Sequence, residues 1–189
     1  MCGRMNVSDH PGLRKLFDDL GMPLYPKPNA DLKPTQQVMA FTYEDGLFQE
    51  TMTWGMKPEW SKRLLINAKS ETVSEKRTFA KAFRERRCLV PCTGWYEWRE
   101  EGGPKKQRYL FTHEDHEPFL MGGIWYPHDH YNQLITLTTH PNAKCAQIHD
   151  RMPVLIDYDH LDFWLTGDHS ELDILMEPYS SKSIIVEAV

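Results

Sequence analysis

The sequence predicts a single α+β domain over residues 1–189, a curled, barrel-like and mostly antiparallel β-sheet with a few peripheral helices. Three observations lead there. Short apolar, strand-like segments recur along the chain, whereas stretches with helical periodicity are few. No repeat, linker or low-complexity stretch divides the sequence. Its 189 residues, 40% hydrophobic and 26% charged, suit one domain that buries a real core.

The elements follow in order. "GRMNV" reads as a short first strand. "SDHPGLRKLFDDLG" reads as a helix with Ser8 or Asp9 as cap, Pro11 in the first turn, Leu13, Leu16, Phe17 and Leu20 on one face, and Gly21 as the stop. "MPLYPKPNADLKPTQ" carries four prolines and reads as an extended, ordered loop. "QVMAFTY", "EDG" and "LFQETMTW" read as strand, turn and strand. "LLIN" is strand-like, and a helix is expected from about Ser70 to Arg86 with Phe79, Ala82 and Phe83 facing inward. Strand-like pieces follow in "CLVPCTGWYEWRE", "KKQRYLFTH", "PFLMGGIWY", "QLITLTTH" and "RMPVLI", with a turn at "EGGPK". "DYDHLDFWLTG" reads as a short helix capped by Asp157 or Asp159. Residues 156–189 read as a short acidic extension.

Composition narrows the function. No apolar run is long enough to span a membrane, and residues 1–20 lack the pattern of a signal peptide, so cytoplasmic residence and no membrane partner are expected. Cys88 and Cys92 lie in strand-like context and read as small core residues of a reducing compartment, and the cysteine spacing fits no zinc framework. "HDH" at His128 to His130 reads as a solvated turn, so neither metal nor cofactor is expected. Net charge is −5, yet residues 57–87 hold ten Lys/Arg against four acids, and residues 109–189 hold three against thirteen. That asymmetry fits either a solvated helix surface or a local basic face able to meet nucleic acid.

Five stretches concentrate groups that packing alone does not explain: "MCGR", "WGMKPEW", "INAKSET", "GWYEW" and "IHDRMP". Cys2 follows the initiator Met, and removal of Met1 would give it a free α-amine and a thiol on adjacent carbons. Glu97 shares a strand face with Trp95, where desolvation would raise its pKa into the acid/base range; an exposed edge-strand Glu is the alternative. His149 beside Arg151 fits proton transfer near a phosphate, or a solvated turn. Asn67 ends an apolar run, where an amide commonly satisfies a backbone.

Taken in order, "MCGR", "PTQ", "WGMKPEW", "INAKSET", the "CLVPCTGWYEW" run, "TT" and "IHDRMP" resemble the SRAP family, the SOS-response-associated peptidase domain, from Cys2 to about Leu155. The resemblance implies covalent cross-linking to abasic sites in single-stranded DNA through the N-terminal cysteine, by a monomer that is nucleoid-associated when bound to damaged DNA. It implies Cys2 as nucleophile with Asn67, Glu97 and His149 around it, and Arg4, Trp54, Trp60, Lys69, Arg77 and Arg151 on the DNA. Lys69 stands where the family usually has Arg, and Asp31 where it often has Asn. An acid there is expected to weaken phosphate binding if its loop reaches the site.

The chemistry implied is a thiazolidine. The α-amine adds to the ring-opened aldehyde of the abasic sugar, water leaves, and the thiol closes a five-membered ring on the imine carbon. Two other functions stay open: a cysteine peptidase acting on its own N-terminus or on other proteins, with His149 as base, and a non-catalytic single-strand binder. Lyase activity is a further possibility under the first reading.

Overall fold

The computed structural model describes residues 3–189 and resolves two sheets, among the described residues, built on one another. The first runs β13 (Ile184–Ala188), β8 (Gln107–His113), β7 (Gly94–Arg99), β1 (Met5–Val7) and β2 (Asn29–Leu32). The second contains β3 (Gln37–Tyr43), β4 (Leu47–Trp54), β6 (Arg87–Cys92), β9 (Phe119–Tyr126) and β10 (Gln133–Thr139), with short strands β5 (Asn67–Lys69), β11 (Met152–Pro153) and β12 (Leu155–Ile156) along its margins. Its pairings run β10–β4–β3–β6–β9 and return from β9 to β10, so the sheet closes on itself. All pairs are antiparallel except β10 with β4 and with β5.

The strands sit where apolar side chains demand burial. All six residues of β6 are buried, because it lies between β3 and β9 in the closed sheet. The chain leaves that sheet at Thr93 and enters the other as β7. Trp95 of β7 stacks on Phe111 of β8, with ring centres 4.7 Å apart, and meets Phe119 of β9 edge-on at 5.4 Å. This aromatic contact joins the two sheets. Gly94 is required at the entry to β7: a Cβ there would stand 2.2 Å from the Phe111 carbonyl oxygen.

Helix α1 (Pro11–Asp19) buries Leu13, Leu16 and Phe17, and Pro11 occupies its first turn as expected. Its cap is His10 rather than Ser8 or Asp9; the ring Nδ1 accepts from Gly12 N at 3.1 Å. The expected helix from Ser70 to Arg86 is two pieces, α2 (Ser70–Val73) and α3 (Ala80–Glu85). Val73 and Phe79 are both buried, and six positions apart on one helix they would point about 120° away from each other. The break lets both reach the core. The proline-rich loop likewise contributes a strand, β2, which pairs with β1. "RMPVLI" divides into β11 and β12, which pair with different neighbours.

The acidic C-terminal third is part of the core rather than an appendage. β13 pairs with β8 along its whole length, and Trp164 of α4 (Leu161–Thr166) is fully buried with its Nε1 donating to the Cys88 carbonyl at 3.0 Å. Neither Asp157 nor Asp159 caps α4; a 3-10 turn, Tyr158–His160, leads into it instead. Buried Arg87 ties the region down. It donates to the carbonyls of Phe83 at 2.8 Å, Trp164 at 2.6 Å and Gly167 at 2.6 Å, so one cation satisfies the C-terminal ends of both α3 and α4. Among the described residues no helix is long and apolar enough to cross a membrane. Trp164→Ala is expected to cost about 3–5 kcal/mol, as for a fully buried aromatic, measured by urea unfolding; a cost under 1 kcal/mol would show that the C-terminal segment is dispensable to the core.

Candidate active site

The site is assembled on β7. Alternation along the strand sends Trp95 and Glu97 inward, and both are buried, Glu97 to 3% exposure. β7 is a central strand, flanked by β1 and β8, which disposes of the edge-strand alternative. Burial pushes the Glu97 carboxyl up to about 7, with the nearby charge of Asp150 acting in the same direction. The register of β1 on β7, Met5 opposite Trp95 with the Tyr96 N–H donating to the Arg4 carbonyl at 3.0 Å, carries Gly3 toward Glu97. Cys2, the expected nucleophile, lies outside the described residues.

His149 reaches the same carboxylate from the other sheet. It follows a 3-10 turn, Cys145–Gln147, whose Cys145 carbonyl accepts the His149 N–H at 2.9 Å. Its Nε2 is 3.8 Å from Glu97 Oε2. In the tautomer that carries the neutral ring's proton on Nε2, facing Glu97, its Nδ1 accepts the Arg151 N–H at 3.0 Å. The exposed Asp150 carboxylate lies 3.1 Å and the Arg151 carbonyl 3.3 Å from the same Nδ1; both are acceptors, placed to take a proton that Nδ1 carries once the ring is charged. Burial lowers the His149 pKa and favours that neutral form.

Asn67 and Arg151 are both fixed by β10. Thr136, opposite Asn67 in the parallel β5–β10 pair, donates its hydroxyl to Asn67 Oδ1 at 2.6 Å. Two residues further along β10, the Thr138 carbonyl accepts from Arg151 Nη2 at 2.6 Å. Arg151 also forks onto Glu71, Nη1 to Oε1 at 2.6 Å and Nη2 to Oε2 at 2.8 Å, and this holds the Glu71 carboxyl down to about 2. Arg151 is 8% exposed, so its guanidinium is an internal strut beside His149 and not an open phosphate contact, a correction to the expectation from sequence. Glu71 and Thr136 were missed in the sequence. Glu71 lies inside "INAKSET", and its acid beside a predicted basic site was the available signal.

The remaining candidates separate clearly. Trp54 is fully buried with its Nε1 donating to the Ile66 carbonyl at 3.2 Å; it is a core residue and cannot stack on a base, contrary to expectation. Trp60 is 72% exposed, and Lys69 and Arg77 are exposed. Arg4 is partly buried, with its Nη1 donating to Asp31 Oδ1 at 2.6 Å. Asp31 therefore does reach the neighbourhood of the chain start. Among the described residues no cluster of His, Cys, Asp or Glu is gathered as a metal needs, and His128 and His130 stand in an exposed loop. A cavity of about 300 Å³ between α1 and the 155–158 segment contains none of these candidates.

What the pair can do chemically is move protons. A carboxyl titrating near neutrality faces a neutral imidazole N–H, so each can give or take a proton at cellular pH. The buried thiols nearby are unsuited to attack, since burial pushes Cys92 and Cys145 up to about 12. The raised Glu97 value also links to stability. Between 4.5 and about 7 the folded chain holds a proton that the unfolded chain has released, so stability falls as pH rises through that window and stays lower above it. Glu97→Gln removes the penalty. It is expected to be more stable than the parent above pH 7, by up to about 3 kcal/mol, with the two converging toward pH 4.5. Denaturant titrations across pH check this; a constant offset would mean that Glu97 does not titrate near neutrality.

Comparison with known proteins bears on the whole chain. The sequence profile of the SOS response associated peptidase (SRAP) family matches residues 1–189. The abasic site processing protein YoaM of Bacillus subtilis is 29% identical over 202 aligned positions, covering 96% of this chain and 87% of the relative. The abasic site processing protein YedK of Escherichia coli is 28% identical, covering 90% and 82%. A crystal structure of a protein from Bordetella bronchiseptica superposes with a TM-score of 0.84 at 22% identity, covering all of this chain and 99% of that one. With a profile that spans both sheets and the C-terminal segment, the chain belongs to the SOS response associated peptidase (SRAP) family.

Proposed function

We propose that this protein processes abasic sites in single-stranded DNA by forming a covalent cross-link through Cys2 once Met1 is removed. The observation that carries the reading is the Glu97–His149 pair, a carboxyl near pKa 7 held 3.8 Å from an imidazole, on the strand beside which the chain start runs. The names of the bacterial relatives as abasic site processing proteins support the substrate class.

The neutral α-amine of Cys2 adds to the aldehyde carbon of the ring-opened sugar, forming a C–N bond. One amine proton moves from nitrogen to the former carbonyl oxygen, Glu97 gives its proton to that hydroxyl so that water leaves, and the second amine proton returns to Glu97, leaving a neutral imine. The thiol then adds across the C=N bond; sulfur joins the carbon, and its proton ends on nitrogen. His149 serves as proton carrier during ring opening, and Asn67 orients the reactants. Lys69, Arg77 and the exposed Trp60 hold the strand, the cations on phosphates and the ring on an unpaired base, a contact worth about 1–3 kcal/mol. The protein acts as a monomer on DNA and needs no cofactor.

Three outcomes check this. Cys2→Ala should yield no band shift with an abasic oligonucleotide on a denaturing gel while retaining reversible binding; an undiminished adduct would sink the thiazolidine chemistry, and no adduct from the parent protein would leave only a binder. Glu97→Gln should slow adduct formation on the order of 10²-fold with the fold intact, read by single-turnover gels; an unchanged rate removes it from the chemistry. Reversible binding should weaken with salt, with Lys69→Ala flattening the log–log slope by roughly 0.7 in anisotropy titrations. A slope that Lys69→Ala leaves unchanged would place the DNA on another face.

A further inference from the structure

β7 carries one more side chain on the face of Trp95 and Glu97. Alternation puts Arg99 there, two residues beyond Glu97. Its Nη1 donates to the Gln147 carbonyl at 3.0 Å. Gln147 ends the 3-10 turn that leads to His149, so Arg99 joins the strand of one member of the proton-transfer pair to the turn of the other. The guanidinium is itself held by β8 and by the hairpin beyond β7. Its Nη2 donates to the Tyr109 hydroxyl at 2.8 Å, its Nε donates to Glu101 Oε1 at 3.0 Å, and Nη2 also meets that oxygen. Tyr109 in turn donates its hydroxyl to Glu101, and it stands opposite Glu97 in the β7–β8 register.

The segment that carries His149 is pinned elsewhere too. At its start, Lys144 Nζ donates to the Ile184 carbonyl of β13 at 2.6 Å, and the Cys145 side chain next to it is buried. Just past His149, Arg151 binds the Thr138 carbonyl of β10. His149 is therefore tied to the second sheet through Arg151 and to β7 through Arg99. With Arg99 lost, the ring would stay with β10, and its gap to Glu97 would be free to widen and admit water to the carboxyl. The charge of Arg99 is neutralised locally by Glu101. Among the described residues, the groups acting on the pair are Asp150 and Cys145 from the same segment, with Lys106 of the β7–β8 hairpin acting on His149.

We propose that Arg99 is a positioning residue: through the Gln147 carbonyl it clasps the His149 turn to β7 and so fixes the spacing of His149 from Glu97. The inference rests on the proton-transfer role given to that pair in the function proposed above. A surface ion pair such as Arg99 with Glu101, whose side chains are 41% and 38% exposed, would by itself do little. The bond to Gln147 is different in kind. It reaches the main chain of the turn, from a planar guanidinium whose other N–H groups Tyr109 and Glu101 already hold. Displacing reacting groups by ~1 Å can slow a reaction on the order of 10²-fold, so a hold on the turn bears directly on rate.

The test compares the parent, Arg99→Gln and Arg99→Lys. One arm needs no DNA: the Glu97 carboxyl is followed across pH by isotope-edited NMR, its signal assigned by its loss in Glu97→Gln. The other arm measures single-turnover cross-linking of an abasic oligonucleotide and anisotropy of an intact one. In Arg99→Gln the Glu97 midpoint is expected to fall from about 7 by about one pH unit, because water reaches the carboxyl. Loss of the Arg99 charge alone would raise it. Cross-linking should slow about tenfold, with binding of the intact strand unchanged. Arg99→Lys keeps a donor for the Gln147 carbonyl and should lie between the parent and Arg99→Gln in both readouts. A Glu97 midpoint that stays or rises in Arg99→Gln overturns the clasp, as does an unchanged cross-linking rate. A binding loss as large as the rate loss also overturns it and makes Arg99 a contact to the strand. If the parent forms no adduct, the proposed function falls, and the direction of the Glu97 shift still decides the clasp.

Discussion

Desolvation of the Glu97 carboxyl is the constraint around which the fold is arranged. A carboxylate in water titrates near 4.5; this one is pushed to about 7 because it points from a central strand into an aromatic interior. Keeping it there requires a covered strand, and β7 is covered by β1 on one side and β8 on the other. It requires the Trp95–Phe111 stack behind it, and that stack requires glycine at position 94, where the chain changes sheets. It also requires a second layer to close over the carboxyl, which the 145–151 turn supplies through His149.

That turn is held from beneath by the closed sheet. β10 fixes Asn67 through Thr136 and Arg151 through Thr138, and the Arg151 backbone in turn meets His149 at Nδ1. The fork between Arg151 and Glu71 connects α2 to the same structure. The position of one imidazole ring is therefore set by a strand, a helix and a turn that come from three separated parts of the sequence.

Much of this was legible in the sequence where period and burial agreed. The apolar face of α1 follows from helical spacing, the shared face of Trp95 and Glu97 from alternation, and the strand β6 from its apolar run. The misses have physical causes. Trp54 and Trp60 share one motif, yet one is in the core and the other in solvent, because β4 ends at Trp54 and the chain beyond it no longer alternates. A continuous helix over 70–86 satisfied local propensity but not the burial of both Val73 and Phe79. Arg151 read as an open cation because its partner Glu71 is far away in sequence. The acidity of residues 156–189 concealed that Trp164, Leu172 and Ile184 are fully buried.

The way the first sheet is paired has a consequence for how the molecule comes into being. Met5 pairs with Trp95, β8 pairs with β13 at the far end of the chain, and His149 meets Glu97 from the other sheet. None of these contacts is local. Topologies dominated by distant pairings fold slowly, because loop closure has to precede the contacts that reward it. β1 finds one partner, β2, nearby in the chain, but its other partner, β7, and the imidazole of His149 lie far along the sequence. The proton-transfer pair is thus a product of complete folding, and a partly folded or shortened chain carries the residues without the chemistry.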